Sequence, residues 1–469
     1  MINETSDKNL VDDFVELMKR YTDSPEIFLE ATGFWLTSAL LGRFVHLSDL
    51  PLRYRWPNLF VVLSSPPAFM RRSTVMAAAR FVYKRAYLHF LEGTGQNPNE
   101  EDVEFRRVEE FTLEGLGDHI DVTRARDYYL FSPEFGAVLG RTKRGRYLES
   151  MLGLLCRLYY GEGVIQCLSK RKGGKGVRMI PEGLFFTLLA GLQDVSLYFN
   201  YLMLSQGFLR RVLLVYQSLE DLDVTRHRPF LDQRRVDMWN ALEGFSAKVA
   251  KRMVEVHAVS PLLVVFPPRV AERINTLDER IYRKAKENPD DSRWFYYASY
   301  PEFLAKLTAL MALAEWDNHP ADLGGSSVLR VAPHHLNAAL RFLGKCYRKQ
   351  KEALLRILTP SVNEPLRSSQ ARLMRIKALI GRGTSMQKLI QRSHLTKAEL
   401  APLLETLMGR GEVQVVRYET SGRPGLRVFT DDYPECLEEF LQELKSKGMK
   451  FVVYDETNCR QFMMLWAGR

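Results

Sequence analysis

NLFVVLSSPPAFMRRSTVM, residues 58–76, is the stretch whose reading decides the fold. Leu59 to Leu63 is a short apolar run rich in β-branched and aromatic residues, which predicts a fully buried strand. Ser64, Ser65, Pro66 and Pro67 break it, since proline withholds a ladder donor. Ser73 and Thr74 then open an Ala-rich segment, Val75 to Tyr87, that predicts a helix. A buried strand, a tight loop closing on basic-Ser-Thr and a helix can present backbone N–H groups to an anion. The plain alternative is an ordinary core strand followed by a helix.

This is the layout of a phosphate-binding P-loop, but the residues depart from the motif. The glycines that let such a loop approach phosphates closely are replaced by Ala68, Phe69 and Met70. The lysine that reaches the terminal phosphates is replaced by arginine, a bulkier planar cation. Two registers are open. With Arg72 at the lysine position, Ser73 supplies the magnesium-side hydroxyl and Thr74 follows it. With Arg71 there, Arg72 occupies the hydroxyl position.

Composition bounds the rest. The chain has 469 residues, 46% hydrophobic and 26% charged, ordinary for a globular protein of two to four domains. A formal charge of +10 favours a polyanionic partner, nucleic acid being the commonest. Five scattered cysteines lack CxxC spacing and predict neither a disulfide framework nor a zinc site; no metal-ligating set is read from the sequence. The polar, acidic first residues do not read as a secretory signal, and the most apolar helix candidate, Phe34 to Leu47, is interrupted by Arg43. The expectation is a cytoplasmic protein with no membrane partner.

Working outward, residues 1–57 predict a helical N-terminal segment. Asp127 to Phe131 is a second apolar run, ending in Ser132-Pro133-Glu134. P-loop enzymes carry Asp-Glu at the end of such a strand, for magnesium and for the attacking water. Glu134 is the candidate for the Glu that polarises the attacking water; Pro133 stands at the Asp position and has no carboxylate. The alternative for Glu134 is an acid facing a helix dipole. Residues 141–178 hold ten Lys or Arg against two acids. Val164 to Leu168 and Val177 to Ile180 predict a hairpin whose tip carries Lys170, Arg171, Lys172 and Lys175, a shape suited to a phosphate backbone. Leu184 to Gly191 and Val212 to Tyr216 predict two more buried strands. The first is followed by Gln193 and the second preceded by Arg210 and Arg211. Residues 230–358 predict a helical lid after an α/β core at 58–229.

Beyond a linker at 359–369, three helices and a hairpin predict a winged helix over 366–430. That stretch, counted from Gln370, carries eleven Lys or Arg against four acids. Lys388, Arg392, Lys397, Arg417 and the wing-tip Arg423 are the candidate DNA contacts. Winged helices also dock proteins. Residues 431–469 are expected to form a C-terminal extension with one helix and one strand.

Taken in this order, WPNLFVVLSSPP, LFSPEFGAVLGR, FFTLLAGLQD and GFLRRVLLVY resemble a family of phage-, plasmid- and prophage-associated P-loop proteins related to MCM-type ring helicases. The resemblance covers about Pro25 to Ile357. It implies an α/β P-loop NTPase core of the AAA+/RecA-like kind, with the lid and winged helix following. It also implies nucleotide binding by Arg72 and Ser73, Glu134 as the catalytic Glu, Gln193 as a polar sensor, and Arg210 or Arg211 as an arginine finger. Its cofactors would be ATP and Mg2+ where the site is functional; lost glycines, a changed lysine and Pro133 instead predict a degenerate, inactive site. The partners implied are DNA, further copies of the chain in a ring, six among the possible numbers, and replication or mobile-element proteins. The function expected is a DNA-binding ring, clamp or loader. The alternatives are an active ATP-dependent translocase and a winged-helix transcriptional regulator that oligomerises through its P-loop domain.

Overall fold

Asn9 opens the first helix, α1 (Leu10–Lys19), its side chain accepting hydrogen bonds from the amides of Val11 and Asp12 at 3.1 and 2.9 Å. That cap satisfies amides with no partner inside the helix. The structure is a computed structural model. It describes residues 9–47, 56–66, 70–97, 99–108, 116, 119–120, 123, 125–141, 145–167, 177–193, 195–199, 203–204, 206–221, 234–289, 291–316, 321–323, 326–358, 369–393, 395–421 and 424–467. The chain divides into two compact units, Met1–Leu358 and Thr359–Arg469.

In the first unit α2 (Glu26–Leu41) is apolar around nearly its whole circumference and is buried on every side, as a helix without a polar face must be. A 3-10 turn leads from it into strand β1 (Val45–Leu47). Then come β2 (Phe60–Ser64), α3 (Arg72–Gly93), α4 (Glu100–Glu104), β3 (Arg107–Val108), β4 (Asp127–Ser132), α5 (Phe135–Arg141) and α6 (Gly145–Tyr159). The hairpin strands β5 (Val164–Cys167) and β6 (Val177–Ile180) precede β7 (Phe185–Leu192), α7 (Val195–Tyr198) and β8 (Val212–Tyr216).

Five of these strands form one sheet in the order β3-β4-β7-β2-β8, every adjacent pair parallel. All residues of β2, β4, β7 and β8 are buried. Helices cover both faces, which is why these strands read as continuous apolar runs and not as alternating ones. The four long strands lie within a residue of their predicted positions.

The remainder of the first unit departs from expectation. Residues 230–358 contain the helices α8 (Arg234–Ala258), α9 (Pro268–Glu287), α10 (Arg293–Tyr297), α11 (Tyr300–Glu315) and α12 (Pro333–Leu358). They also contain three strands, β9 (Leu262–Val265), β10 (Ala321–Leu323) and β11 (Ser326–Arg330). A second sheet runs β1-β9-β11-β10, with β1 and β11 parallel to β9 and β10 antiparallel at the edge. The expected helical lid is therefore a mixed α/β element, and the expected helical N-terminal segment contributes a strand to it. One continuous apolar core runs from Leu10 to Ile357.

The second unit contains α13 (Ser369–Ile380), β12 (Thr384–Ser385), α14 (Met386–Ser393), α15 (Lys397–Gly409), β13 (Val413–Tyr418) and β14 (Gly425–Thr430). They are followed by α16 (Pro434–Ser446), β15 (Phe451–Tyr454) and α17 (Cys459–Ala467). Its antiparallel sheet runs β12-β14-β13-β15. The expected extension is thus built into the unit: β15 pairs with β13, and Phe462 and Met463 of α17 share the core with Leu400 and Leu404 of α15. Among the described residues no helix is long and apolar enough to cross a membrane.

Candidate functional site

Because the five strands are parallel, their C-terminal ends share one edge of the sheet. Ligands of open α/β sheets bind outside that edge. Ser64 and Ser65 end β2, Ser132-Pro133-Glu134 ends β4, and Gln193 follows β7. Of the three residues that replace the loop's glycines, Ala68 and Phe69 lie outside the described residues. Met70 is buried, and its carbonyl accepts a hydrogen bond from Ser24 Oγ at 3.0 Å.

Arg71 has φ +47° and ψ +27°, the left-handed region that glycine occupies without strain. Helix α3 starts at the next residue. A left-handed residue therefore stands directly before Arg72 and Ser73. The N-terminus of α3 has no side-chain cap and no acid in its first turn, so its dipole is unopposed there, while the Thr74 and Val75 amides donate to the Arg71 carbonyl at 3.0 and 3.3 Å. Ser73 is exposed and Thr74 half-buried there.

The two arginines are otherwise engaged. Arg71 Nε lies 3.3 Å from Asp23 Oδ1, whose side chain is almost buried. Arg72 donates through Nη1 to the carbonyl of Leu192 at the end of β7 and, at 3.5 Å, to that of Ser65. Burial lowers the pKa of Arg72, and the carboxylate of Glu134 acts against that fall. Gly191 makes room for this packing. A Cβ there would sit 2.5 Å from the Pro133 carbonyl and 2.8 Å from Arg72 Nε. The loop's cations thus meet protein oxygens, and a carboxylate stands beside the left-handed turn. Pro133 offers no oxygen side chain for a metal, so this donor set does not fit Mg·ATP as an active P-loop holds it.

Glu134 is exposed at the same edge and Gln193 one residue beyond β7, so Arg72, Ser73, Glu134 and Gln193 share one end of the sheet. Arg210 and Arg211 do not join them. They form the turn that enters β8, at the opposite edge. Arg211 Nη1 donates to the Gly207 carbonyl at 2.5 Å, and its guanidinium lies 4.6 Å from the centre of the Tyr160 ring. Arg210 is exposed.

Of the candidate DNA contacts, Lys170, Arg171, Lys172, Lys175 and Arg423 lie outside the described residues. The strands that carry the first four do pair, Val164 with Ile180 through Cys167 with Val177. Lys388 and Arg392 are exposed on α14. Arg417 is half-buried within β13, and Lys397 Nζ sits 5.3 Å from the centre of the Trp466 ring. On α15 itself the exposed positions include Pro402, Glu405 and Thr406. Lys377 is held by Asp431 and Asp432 at 2.7 and 3.2 Å. The tail's eight acids, against five Lys or Arg, reduce the charge of residues 370–469 to +4.

Three polar clusters escape sequence reasoning. Asp127, buried at the start of β4, is clasped by Arg43 at 2.8 Å and by Arg106; Arg43 also donates to Tyr87 Oη at 2.6 Å. Burial opposes the charge on Arg43, but Asp127 together with Tyr87 and Tyr83 outweighs it and raises the guanidinium above its ordinary range. Lys306, wholly buried in α11, donates to Asn58 Oδ1 at 2.9 Å and to the Asn58 carbonyl at 3.1 Å. It also pairs with Glu302 at 3.2 Å and lies 3.7 Å from the centre of the Tyr159 ring. Asn58 in turn donates to the carbonyls of Tyr159 and Phe186 at 2.8 and 2.9 Å. Burial lowers the pKa of Lys306 to about 8, against the pull of Glu302.

In the third cluster His334 and His335 place Nε2 2.7 and 2.8 Å from Glu315 Oε2. The triad has the residue types of a metal site, but its hydrogen bonds argue otherwise. His335 Nδ1 accepts from the Ala332 amide at 2.9 Å. Its neutral ring therefore carries the proton on Nε2, which donates to Glu315 and has no lone pair for a cation.

Comparison of the chain with protein-family models and with curated proteins returns no match.

Proposed function

We propose that the chain is a DNA-binding protein built on a P-loop-type α/β core, with a winged-helix-type second unit and a nucleotide site that does not turn over ATP. The observation that carries the second half is the engagement of Arg71 by Asp23 and of Arg72 by the carbonyls of Leu192 and Ser65. Phosphoryl transfer rests on positioning and charge neutralisation, and here Arg71 is paired with Asp23 while Arg72 is turned to backbone carbonyls. The strand order supports the scaffold. The strand that enters the loop neighbours β7, and β7 separates it from the strand ending in Glu134, as in the ring-forming P-loop proteins the sequence resembles. In the second unit, helix, short strand, two helices and a hairpin follow one another in winged-helix order.

DNA binding is supported by the net charge of +10 and by the paired strands flanking the tetra-cationic segment 168–176. In the second unit the exposed Lys388 and Arg392 favour contact through α14 and the wing. The arrangement suits a ring, clamp or loader in which Arg210 faces a neighbouring copy. Converting Lys170, Arg171, Lys172 and Lys175 together to alanine should weaken binding to a random-sequence duplex and flatten its salt dependence; unchanged affinity would remove the hairpin from the DNA path.

An active translocase is the second reading, favoured by the uncapped start of α3 and the exposed Glu134 facing Arg72. It requires DNA-stimulated phosphate release that disappears in Glu134→Gln. A colorimetric phosphate assay with and without DNA separates the two; the first reading expects no release above background.

A further inference from the structure

Helices α9 and α12 run side by side in the same direction, both packed on α11. Arg273 Nη1 on α9 donates to Asn337 Oδ1 on α12 at 3.3 Å. Further along, Arg280 and Lys284 line the same cavity as Gly344 and Tyr347, and its volume is about 310 Å3. The floor of this groove is apolar: Leu277 and Ile281 from α9, Leu340 and Leu343 from α12, and the rings of Trp294 and Tyr297 from α10. At its mouth Tyr347 is 40% exposed.

The rims differ in kind from the floor. Arg273, Arg280 and Lys284 recur along α9 at helical spacing, on the flank that faces α12. The exposed acids Glu272, Asp278 and Glu279 lie more than a quarter turn round the helix from that line. On α12 the exposed Arg341, Arg348 and Lys351 flank the groove, and Glu352 is half-buried. The acids near the rims are already engaged: Glu287 pairs with Lys284 at 2.7 Å, and Arg293 holds Asp291 at 2.8 and 2.7 Å.

An apolar floor between two cationic rims calls for an occupant that is apolar in the middle and anionic on both sides. We infer that this groove docks an acidic amphipathic helix of a partner protein, with one or two large apolar side chains in the cavity and carboxylates on the rims. A helix laid in a groove is read through apolar anchors at i, i+4 and i+7. The rim from Arg273 to Lys284 is about 16 Å long, three turns of such a helix. Charges of opposite sign on both rims fix its register and reject basic partners. A nucleobase would find no polar group on this floor, and burying its ring heteroatoms unpaired is costly. A fatty acid would fill the cavity but bring one carboxylate to cations on both sides. The groove lies away from the loop after β2. Tyr296 of α10 hydrogen-bonds through Oη to the Val212 carbonyl at 3.0 Å, at the N-terminal end of β8 and the opposite edge of the sheet.

Gly344 supplies a steric variant. A Cβ added there meets nothing within 4 Å, so Gly344→Leu should fill the groove without disturbing the helix. Arg280→Glu combined with Arg348→Glu reverses one cation on each rim. The full chain would be titrated by fluorescence anisotropy, at low salt, with a labelled peptide of about four helical turns. It carries Phe and Leu at i, i+4 and i+7 and Glu at the flanking positions. Peptides with Lys for Glu, or with Ser for Phe and Leu, are the controls, beside an oligothymidylate and vesicles of anionic phospholipid. Saturable binding of the acidic amphipathic peptide alone is expected, weaker by about tenfold or more in each variant. No saturable binding, equal binding of either control peptide, or affinity unchanged in both variants would overturn the assignment. Binding of the oligothymidylate or the vesicles in its place, lost in both variants, would overturn it in favour of a strand or a membrane. Self-association seen by sedimentation and abolished by Gly344→Leu would overturn it in favour of a second copy.

Discussion

The guanidinium of Arg71 and the carboxylate of Asp23 meet at 3.3 Å, across a turn in which Arg71 is held left-handed. The pair joins the approach to α2 with the residue directly before α3. A carboxylate at that point disfavours an anion at the start of the helix.

Removing that carboxylate should change what the turn accepts. Asp23→Asn leaves Arg71 without its carboxylate beside the uncapped N-terminus of α3. Its affinity for inorganic pyrophosphate should rise by about three- to tenfold over the wild type, measured by calorimetric titration at low salt. Equal affinities would mean that Asp23 does not set the anion preference of the loop.

Asp127 holds two guanidinium groups in the core. Asp127→Asn would leave Arg43 and Arg106 buried with only partial compensation. The loss of stability should be about 3–5 kcal/mol, read from urea unfolding followed by tryptophan fluorescence. A loss below about 1 kcal/mol would show that water reaches the two cations.

Lys306 gives stability a specific pH dependence. The unfolded chain holds the lysine proton up to its ordinary pKa of 10.5, whereas the native protein releases it near 8. Between these values the unfolded state binds more protons, so this group's contribution to stability rises with pH; below about 8 both states are charged and the contribution is flat. Relative to Lys306→Met, the wild type should therefore gain on the order of 3 kcal/mol from pH 7.5 to pH 10.5. Parallel stability curves for the two proteins would contradict a neutral amine in the core.

Lys388 and Arg392 are exposed on one short helix of the second unit. Reversing both to glutamate should weaken duplex binding whatever the sequence and reduce the slope of log affinity against log salt by roughly two. A sequence-dependent loss would instead indicate base contacts, as a regulator requires.

Much of the first sheet was legible because its strands are buried on both faces. An uninterrupted apolar run such as Phe60 to Leu63 cannot be mistaken for an amphipathic helix. The second sheet was not. Val45–Leu47 continues an apolar helix pattern, and Leu262–Val265 is too short for periodicity to separate from its helical surroundings, although Pro261 and Pro267 bracket it. Ala321–Leu323 and Ser326–Arg330 fall in a stretch whose Gly and Ser read as a polar break. In the second unit Phe462, Met463 and Trp466 have the spacing of a buried helical stripe, a signal that was present but passed over in the tail. Of the candidate site, the residue types at the loop were readable. Their engagement was not, because Asp23 lies 48 positions before Arg71 and Leu192 lies 120 positions after Arg72. Asp127 and Lys306 were invisible for the same reason: Arg43 and Asn58, their partners, come 84 and 248 residues earlier.

Strand β1 joins the second sheet by three parallel pairs, Val45 to Leu262, His46 to Leu263 and Leu47 to Val264. The beginning of the chain is thereby stitched to the part that follows the first sheet, and Lys306 adds a buried tether to Asn58. A hinged lever that swings with each catalytic cycle needs a joint that bends without breaking backbone ladders. Here the three β1–β9 pairs and the buried contact of Lys306 with Asn58 couple distant parts of the first unit without any such joint in the ladder.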